Sequence, residues 1–282
     1  MVSRRDSLRL DWRNGNVRDL RVSYERARRV IPAGAHEWRM IDAGDRHIRV
    51  LIHKAPIGDD RAIFYFHGGG WIFGSPATHA DISEALSAAT GLPVISIDYR
   101  LAPEHKAPAA IDDGMAVLDH FLGAHFKSAI LCGDSAGGSL ALAVERRAAQ
   151  RKRNILGVLS LYGSYGLMAN AALHQEGRAG DGLDAASVRR YWLSANASSG
   201  GSPYSIPALA QAQGCPVHLL IAGRDPLRHD SIALLRALRA KGRPVTVDIH
   251  SFEGHSFLQA PHARRSKQIA FRRIADWIGA LG

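Results

Sequence analysis

The amino-acid sequence predicts a single α/β domain built around a mostly parallel sheet. Several short, continuous apolar segments are typical of strands buried on both faces of such a sheet, and residues 62–66 are the clearest example. One of these segments leads into a serine flanked by glycines, and another leads into three consecutive glycines. The 282 residues, of which 46% are hydrophobic, suffice for one large domain with or without a small appendage.

The segment up to residue 36 is predicted to be a basic helical arm. Apolar residues at helical spacing favour a helix over residues 17–30, which Pro32 would end. The apolar stripe consists of Val17, Leu20 and Tyr24. Because this stripe is narrow, we expect the helix to lie over the domain rather than inside it. Two roles stay open, a brace packed on the domain or part of a lid over the active site.

The remaining elements alternate as expected of an α/β domain. Residues 37–41 and 48–52 predict a hairpin. Further strands are expected at residues 62–66, 94–98, 129–132, 156–162, 217–222 and 245–249, which makes about eight strands in all. Helices are expected at residues 76–90, 107–126, 136–150, 185–195, 228–241 and 262–281.

Ser135 lies in a Gly-x-Ser-x-Gly pattern between a predicted strand and a predicted helix. A tight turn there holds the serine in a strained backbone conformation with its hydroxyl projecting. Gly133 and Gly137 lack a Cβ, so strand and helix can approach closely. The amide of Ala136 lies at a helix N-terminus, which favours an anion. The pattern alone can arise by chance among 28 glycines, but its context makes Ser135 a candidate nucleophile.

Three glycines, Gly68 to Gly70, follow the buried strand at residues 62–66. Consecutive backbone N–H groups at the carboxyl end of a strand can form an oxyanion hole without side chains. We expect the amides of Gly68 and Gly69 to act there together with that of Ala136. His67 is expected to position the backbone of this glycine loop.

Three motifs together resemble one family. His-Gly-Gly-Gly-Trp at 67–71, Tyr-Arg-Leu-Ala-Pro-Glu-His at 99–105 and Gly-Asp-Ser-Ala-Gly-Gly at 133–138 are similar, in order and separation, to the motifs of the hormone-sensitive-lipase-like (bacterial type IV) esterases. The resemblance extends from about Ala62 to the C-terminus. It implies the α/β-hydrolase fold, with a mostly parallel sheet of about eight strands, flanking helices and a small helical cap. It also implies a structural role for residues 99–105, without chemistry for Glu104 or His105.

The resemblance also indicates the partners of Ser135. Asp225, at the end of a predicted strand and followed by Pro226, aligns with the acid of the catalytic triad. His255 lies on a loop beyond the last predicted strand, so the chain order is Ser, Asp, His. The motif around Asp225 carries one extra residue before Asp230, which leaves the role of Asp230 open.

The domain organisation follows from these assignments. Residues 1–36 form the arm, which we expect to be part of the cap, and residues 37–282 form the catalytic domain. An insertion at about residues 163–203, rich in small residues, is expected to be a short cap that shapes the substrate pocket.

The leading functional hypothesis is a carboxylesterase that cleaves short-chain acyl esters through Ser135, His255 and Asp225. The alternative enzyme hypothesis is an amidase of the same fold, similar to kynurenine formamidases. A third hypothesis is a non-catalytic homologue that binds a ligand. We expect no cofactor and no metal, because no ligand cluster is apparent. A small-molecule ester is the expected partner, and a homodimer stays open.

The net charge of +10 raises the question of nucleic-acid binding. Residues 1–54 hold 13 Lys/Arg against 7 Asp/Glu and therefore supply +6 of it. No nucleic-acid motif accompanies these charges, so we interpret them as a solvated basic face. The absence of a long apolar run predicts no membrane span and no secretory signal. Cys132 and Cys215 are expected to be free thiols in a cytoplasmic protein.

Overall fold

The computed structural model describes residues 10–54, 60–166, 171–178, 181–196, 201–211 and 213–281, without the side chains of residues 171 and 172. Residues 1–9 of the predicted arm lie outside this range. The same holds for several short parts of the predicted cap between residues 163 and 203.

An eight-stranded sheet organises the molecule, as the sequence predicted. Its order is β1-β2-β4-β3-β5-β6-β7-β8. Strand β2 pairs antiparallel with both β1 and β4, and the other neighbouring strands of the sheet, from β4 to β8 in this order, pair parallel. The strands are β1 (His36–Asp42), β2 (His47–His53), β3 (Arg61–Phe66), β4 (Val94–Ile97), β5 (Ser128–Asp134), β6 (Ile155–Leu161), β7 (Val217–Ala222) and β8 (Val245–His250).

Helices cover both faces of the sheet. The described helices are α1 (Val17–Arg28), α2 (Ala80–Thr90), α3 (Ala109–Phe121), α4 (Ala136–Gln150), α5 (Ala171–Glu176), α6 (Ala185–Ala195), α7 (Ile206–Leu209), α8 (Arg228–Ala240) and α9 (Arg264–Gly279). Alternate residues of a strand point to opposite faces. Accordingly, Phe64 and Phe66 of β3 join the core formed with α1, α3, α4 and α8. Ile63 and Tyr65 join the core formed with α2 and α9.

Two predicted helices are shorter than expected. Helix α2 begins at Ala80 instead of residue 76, because Ser75 and Thr78 form local side-chain bonds: the Thr78 hydroxyl donates to the Ser75 carbonyl and accepts from its amide, both at 2.9 Å. Such bonds compete with helical ones. Helix α3 ends at Phe121 instead of residue 126, and the chain turns at Gly123, where φ is +89°. The short helices α5 and α7 were not predicted.

Helix α1 packs against the glycine loop and α6 through aromatic rings. Trp12 and Tyr24 lie with ring centroids 5.3 and 5.8 Å from that of Phe73, which follows the glycine loop. Phe73 in turn contacts Tyr191 of α6 at 5.5 Å. Leu20 and Tyr24 of the predicted stripe are buried. The described part of the arm therefore lies over the carboxyl end of the central strands.

A single arginine ties the arm to two loops. The guanidinium of Arg21 donates to the carbonyls of Ile72 and Ala102 at 2.7 and 2.5 Å, and it forms two bonds with Glu104 at 2.9 and 2.7 Å. This contact gives Glu104 a structural partner, in keeping with the expectation that the residue has no chemical role. Among the helices of the described ranges, none is long and apolar enough to cross a bilayer.

Candidate active site

Ser135 lies at the turn between β5 and α4 with φ +52° and ψ −120°. The turn depends on glycine for close approach. A Cβ on Gly137 would lie 1.9 Å from the carbonyl oxygen of Phe66, and one on Gly133 would lie 2.1 Å from that of Gly137. Both contacts are far shorter than packing allows, so the predicted need for these glycines is confirmed. The strained backbone presents the Ser135 hydroxyl toward a cavity.

His255 joins Ser135 to Asp225 through two hydrogen bonds. Its Nε2 lies 2.9 Å from Ser135 Oγ, and its Nδ1 lies 2.7 Å from Asp225 Oδ2. With the proton on Nδ1, the imidazole donates to the carboxylate and can accept the serine proton on Nε2. The three residues follow β5, β7 and β8, whose carboxyl ends meet at one edge of the sheet. The structure thus brings together the three residues that the sequence analysis selected.

Two opposing effects set the pKa of His255. Burial lowers it, whereas the charge of the Asp225 carboxylate and the hydrogen bond to it raise it, as does the nearby charge of Asp134. The net result is a pKa above the ordinary value of 6.5. The same imidazole can accept a proton when it is neutral and return it when it is charged, as a general acid–base catalyst requires.

Asp225 is almost completely buried and is held on its other side. The Leu227 amide donates to Asp225 Oδ1 at 2.8 Å, while Oδ2 accepts from His255. Asp230, whose role the sequence left open, is also buried, and its carboxylate accepts the amide of Tyr165 at 2.6 Å. Asp230 therefore fixes the chain after β6.

The glycine loop requires a correction to the predicted oxyanion hole. The Gly68 amide donates to Asp134 Oδ1 at 2.7 Å, so this N–H group is not available to an oxyanion. Gly69 and Gly70, with φ of +110° and +63°, line the cavity beside Ser135, and Gly68 does not. Within the part of the chain that the structure describes, the amides of Gly69, Gly70 and Ala136 have no acceptor. Of the predicted pair, Gly68 is therefore engaged by Asp134, and Gly69 faces the cavity together with Gly70.

Asp134 is a residue of the site that the sequence analysis overlooked. Besides the Gly68 amide, its Oδ1 accepts the Tyr65 hydroxyl at 2.6 Å, and burial raises its pKa. His79 Nε2 lies 3.7 Å from Oδ2. Asp134 belongs to the Gly-Asp-Ser motif, but nothing in the sequence indicates that it contacts Gly68 and Tyr65, which precede it by 66 and 69 residues. Its contacts anchor the glycine loop to the serine turn.

His67 also supports the glycine loop. Its ring stacks on that of Tyr99 with centroids 4.2 Å apart, and the Tyr99 hydroxyl donates to the His67 carbonyl at 2.7 Å. Burial, the largest effect, lowers the pKa of His67 to about 4, so its ring is neutral at physiological pH. These contacts agree with the expected positioning role.

A cavity of about 880 Å³ opens above Ser135 and His255. Its apolar wall includes Trp12 and Tyr24 from the arm, and Val188 and Tyr191 from α6. The composition of the predicted cap region, which is rich in small residues, did not indicate this apolar surface. Helix α6 supplies this surface because Val188 and Tyr191 lie on its buried face.

An eight-stranded, mostly parallel sheet with serine, histidine and carboxylate joined at its strand ends defines an α/β hydrolase. A sequence family described as having the alpha/beta hydrolase fold matches residues 63–259. An acetyl-hydrolase of Streptomyces hygroscopicus is 30% identical over 255 residues, covering 86% of this chain and 84% of the relative. The esterase LipI of Mycobacterium tuberculosis is 32% identical over 241 residues, covering 77% and 74%.

Solved structures agree with these relatives. A hyperthermophilic esterase from the archaeon Pyrobaculum calidifontis superposes with a TM-score of 0.85 at 25% identity, covering 99% of this chain and 96% of its own. The chain therefore belongs to the hormone-sensitive-lipase-like (bacterial type IV) esterase family of the α/β-hydrolase superfamily, as its three motifs indicated.

Proposed function

We propose that this protein is a carboxylesterase in which Ser135 is the nucleophile, His255 the general base and Asp225 the residue that orients the imidazole. The observation that carries the proposal is the unbroken chain from Ser135 Oγ through both nitrogens of His255 to Asp225, with distances of 2.9 and 2.7 Å. This chain lies at the floor of the cavity, where an ester can reach the serine.

Acylation begins when Ser135 Oγ attacks the ester carbonyl. His255 Nε2 takes the hydroxyl proton, and Asp225 stabilises the imidazolium through the bond from Nδ1. The imidazolium then gives this proton to the leaving alkoxide, and the acyl group stays on Ser135. In deacylation, His255 takes a proton from water, the hydroxide attacks the acyl carbonyl, and the acid product leaves as Ser135 recovers its proton.

The oxyanion of each tetrahedral intermediate would be stabilised by backbone amides. We assign this role to Gly69, Gly70 and Ala136, whose N–H groups have no other acceptor in the described residues. The Gly68 amide, bound to Asp134, holds the loop in place. Loss of one such donor typically costs about 3–4 kcal/mol of transition-state stabilisation, so the geometry of this loop matters for the rate.

The described part of the arm and helix α6 form the roof of the cavity in this proposal. They contribute Trp12, Tyr24, Val188 and Tyr191 to its wall. This assignment makes residues 1–36 and 163–203 parts of one cap, and residues 37–282 outside that insertion the catalytic domain.

Short acyl groups are the proposed substrates. Two kinds of relative carry the names acetyl-hydrolase and acetyl esterase, which supports acetyl and similarly short chains. The cavity of about 880 Å³ is near the upper end of the usual range of 300–1,000 Å³ and leaves room for a leaving group of substantial size. The acyl chain is therefore the smaller part of the ester.

A labelling experiment and a substrate panel test the proposal together. We expect a fluorophosphonate probe to label the wild type and not Ser135→Ala, and we expect p-nitrophenyl acetate and butyrate to give higher kcat/KM than the twelve-carbon ester. No labelling would indicate a non-catalytic homologue. Faster turnover of N-formylkynurenine than of every ester would indicate the amidase, and preference for the twelve-carbon ester would contradict the short-chain assignment.

A further inference from the structure

Three arginines from separate parts of the chain line the cavity above Ser135. Arg28 lies in the last turn of α1, Arg178 follows α5, and Arg224 follows β7 just before Asp225. All three residues are exposed, so their guanidinium groups are accessible to a ligand in the cavity. None of the steps of ester hydrolysis uses them.

The partners of these arginines are neutral. Arg28 Nη1 donates to Gln259 Oε1 at 3.0 Å, and its guanidinium lies 4.9 Å from the centroid of the Tyr24 ring. Arg224 lies 5.6 Å from the centroid of the Phe252 ring. Within the described ranges, no carboxylate forms an ion pair with any of the three cavity arginines. No carboxylate of the described residues is therefore directly paired with any of these three charges.

Neighbouring arginines behave differently. Arg21 pairs with Glu104, Arg13 with Asp184, and Arg228 with Glu176. The last pair concerns the cavity directly, because Glu176 is one of its lining residues and both its oxygens accept from Arg228, at 2.6 and 2.8 Å. Glu176 is therefore occupied by an arginine outside the cavity wall and does not neutralise those inside it.

Two other carboxylates line the cavity. Asp134 is buried beneath it and accepts from Tyr65 and Gly68. Asp181 lies on the same exposed segment as Arg178, with its amide bonded to the Arg178 carbonyl at 3.2 Å, and offsets one of the three charges. With Asp134 and Asp181 set against the three arginines, a net positive charge remains, and neither Arg28 nor Arg224 is paired with a carboxylate.

We propose that the ester hydrolysed by this protein carries a carboxylate and that Arg28, supported by Arg224, binds it. This inference rests on the proposed esterase function and names the substrate class of the same site. A guanidinium presents several N–H donors in a planar fork that suits a carboxylate, and its neutral partners leave donors free for a ligand. The excess of basic residues over the whole chain would also attract an anionic ester toward the cavity.

Matched ester pairs test this proposal. Monophenyl adipate and phenyl hexanoate differ by a terminal carboxylate on the acyl side, and 4-acetoxybenzoate and 4-acetoxybenzamide differ by a carboxylate on the leaving group. The readout is the ratio of kcat/KM for the anionic over the neutral member, measured at low ionic strength. We expect a ratio above one for at least one pair, and which pair shows it tells whether the carboxylate belongs to the acid or to the alcohol.

Variants of helix α1 assign the effect. Arg28→Gln removes the cation that faces the cavity, and we expect the preferred ratio to fall by about fivefold, the effect of one exposed ion pair. Arg26→Gln is the matched control. It makes the same change of charge two residues away, on a different face of the helix and away from this cavity. Its ratio should stay at the wild-type value.

The outcomes separate this inference from the esterase function. Wild-type ratios at or below one for both pairs, with both members hydrolysed, would overturn the inference and leave the esterase function intact. Equal falls in Arg28→Gln and Arg26→Gln would overturn the role of Arg28. If Arg28→Gln does not fold, the wild type decides alone. The wild-type ratio should drop when 0.5 M sodium chloride is added, because salt screens the attraction between exposed charges. A ratio that does not change with salt would contradict the proposal.

Discussion

The two sides of the cavity are built in different ways. On the sheet side, Ser135, Asp225 and His255 each follow a strand, and backbone hydrogen bonds of the sheet fix their positions. On the roof side, the arm is held mainly by side chains, through the ring contacts of Trp12 and Tyr24 and the bonds of Arg21. Backbone bonds join it to the domain only near its end, as between the Val30 amide and the Ala77 carbonyl at 2.9 Å. The groups assigned to chemistry therefore stand on the sheet side. Tyr24 and Arg28, which are assigned to substrate choice, stand on the roof side, and Arg224 joins them from the end of β7.

This difference predicts how each side responds to change. A shift of a strand end disturbs many backbone bonds at once, whereas the arm can adjust locally, since segments held by few contacts open at lower free energy than the core. Substitutions on the sheet side should mainly lower kcat, and substitutions on the roof side should mainly change which ester is preferred.

Ser135→Ala has the largest expected effect. The substitution removes only Oγ from a turn that the backbone already holds, so we expect kcat to fall by roughly a thousandfold or more. The midpoint of thermal unfolding should change by no more than about 2 °C. Ester hydrolysis by the purified variant at more than about 5% of the wild-type rate would contradict the assignment of the nucleophile.

Asp225→Asn should give the next largest loss and a shifted pH profile. The neutral imidazole is the base, so kcat/KM rises as His255 loses its proton, and in the wild type this rise should lie above pH 6.5 because Asp225 raises the pKa. Without the carboxylate we expect kcat to fall by about a hundredfold or more. The rise should also move to lower pH. A pH–rate profile that keeps its midpoint in the variant would show that Asp225 does not set this pKa.

Asp134→Ala tests the anchor of the glycine loop. It leaves the Gly68 amide and the Tyr65 hydroxyl without their acceptor, at a cost of about 1–3 kcal/mol in the free energy of unfolding for each buried group. We expect kcat to fall by about tenfold through displacement of the oxyanion-hole amides, with little change in KM. Tyr65→Phe is the control, because it removes one of the two bonds and spares Gly68. Equal losses of kcat in both variants would mean that the Gly68 bond is not the cause.

Tyr24→Ala has the smallest expected effect on rate and tests the roof. Loss of this ring from the cavity wall removes apolar surface worth about 0.8 kcal/mol per contacting methylene. The ratio of kcat/KM for hexanoate over acetate should therefore fall by about three- to tenfold. Val22→Ala, at an exposed position on the same helix, should leave the ratio unchanged. If Tyr24→Ala lowers kcat/KM equally for every chain length, the arm is a brace and the lid role is wrong.

The sheet side was largely predictable from sequence. Apolar segments and a predicted hairpin located all eight strands, and the motifs that follow β3, β5, β7 and β8 named the residues that meet at the strand ends. The reason is that these features leave local signals in the sequence. Buried strands appear as patterns of apolar residues, and tight turns appear as glycine and proline. Even Ser135, whose backbone is strained, was indicated by its two flanking glycines.

The contacts between distant residues were not predictable. Three consecutive glycines offer three equivalent amides, and only the side chain of Asp134, 66 residues further on, decides that Gly68 is the one engaged. Likewise, the composition of residues 163–203 did not indicate that Tyr191 would meet Phe73 from the glycine loop. The basic residues of the arm could be counted from the sequence. Which of them forms an ion pair, as Arg21 does, and which faces the cavity, as Arg28 does, depends on residues elsewhere in the fold.

The long reach of the arm has a consequence for how the molecule assembles. Arg13 binds Asp184, 171 residues later, and Arg190 of α6 donates to the Trp12 carbonyl across 178 residues. On the ribosome, the roof cannot close until α6 has emerged, by which time β1 to β6 are already available to pair. Closing so long a loop is entropically costly before the sheet brings its ends together. We therefore expect the roof to close only after β1 to β6 have begun to pair.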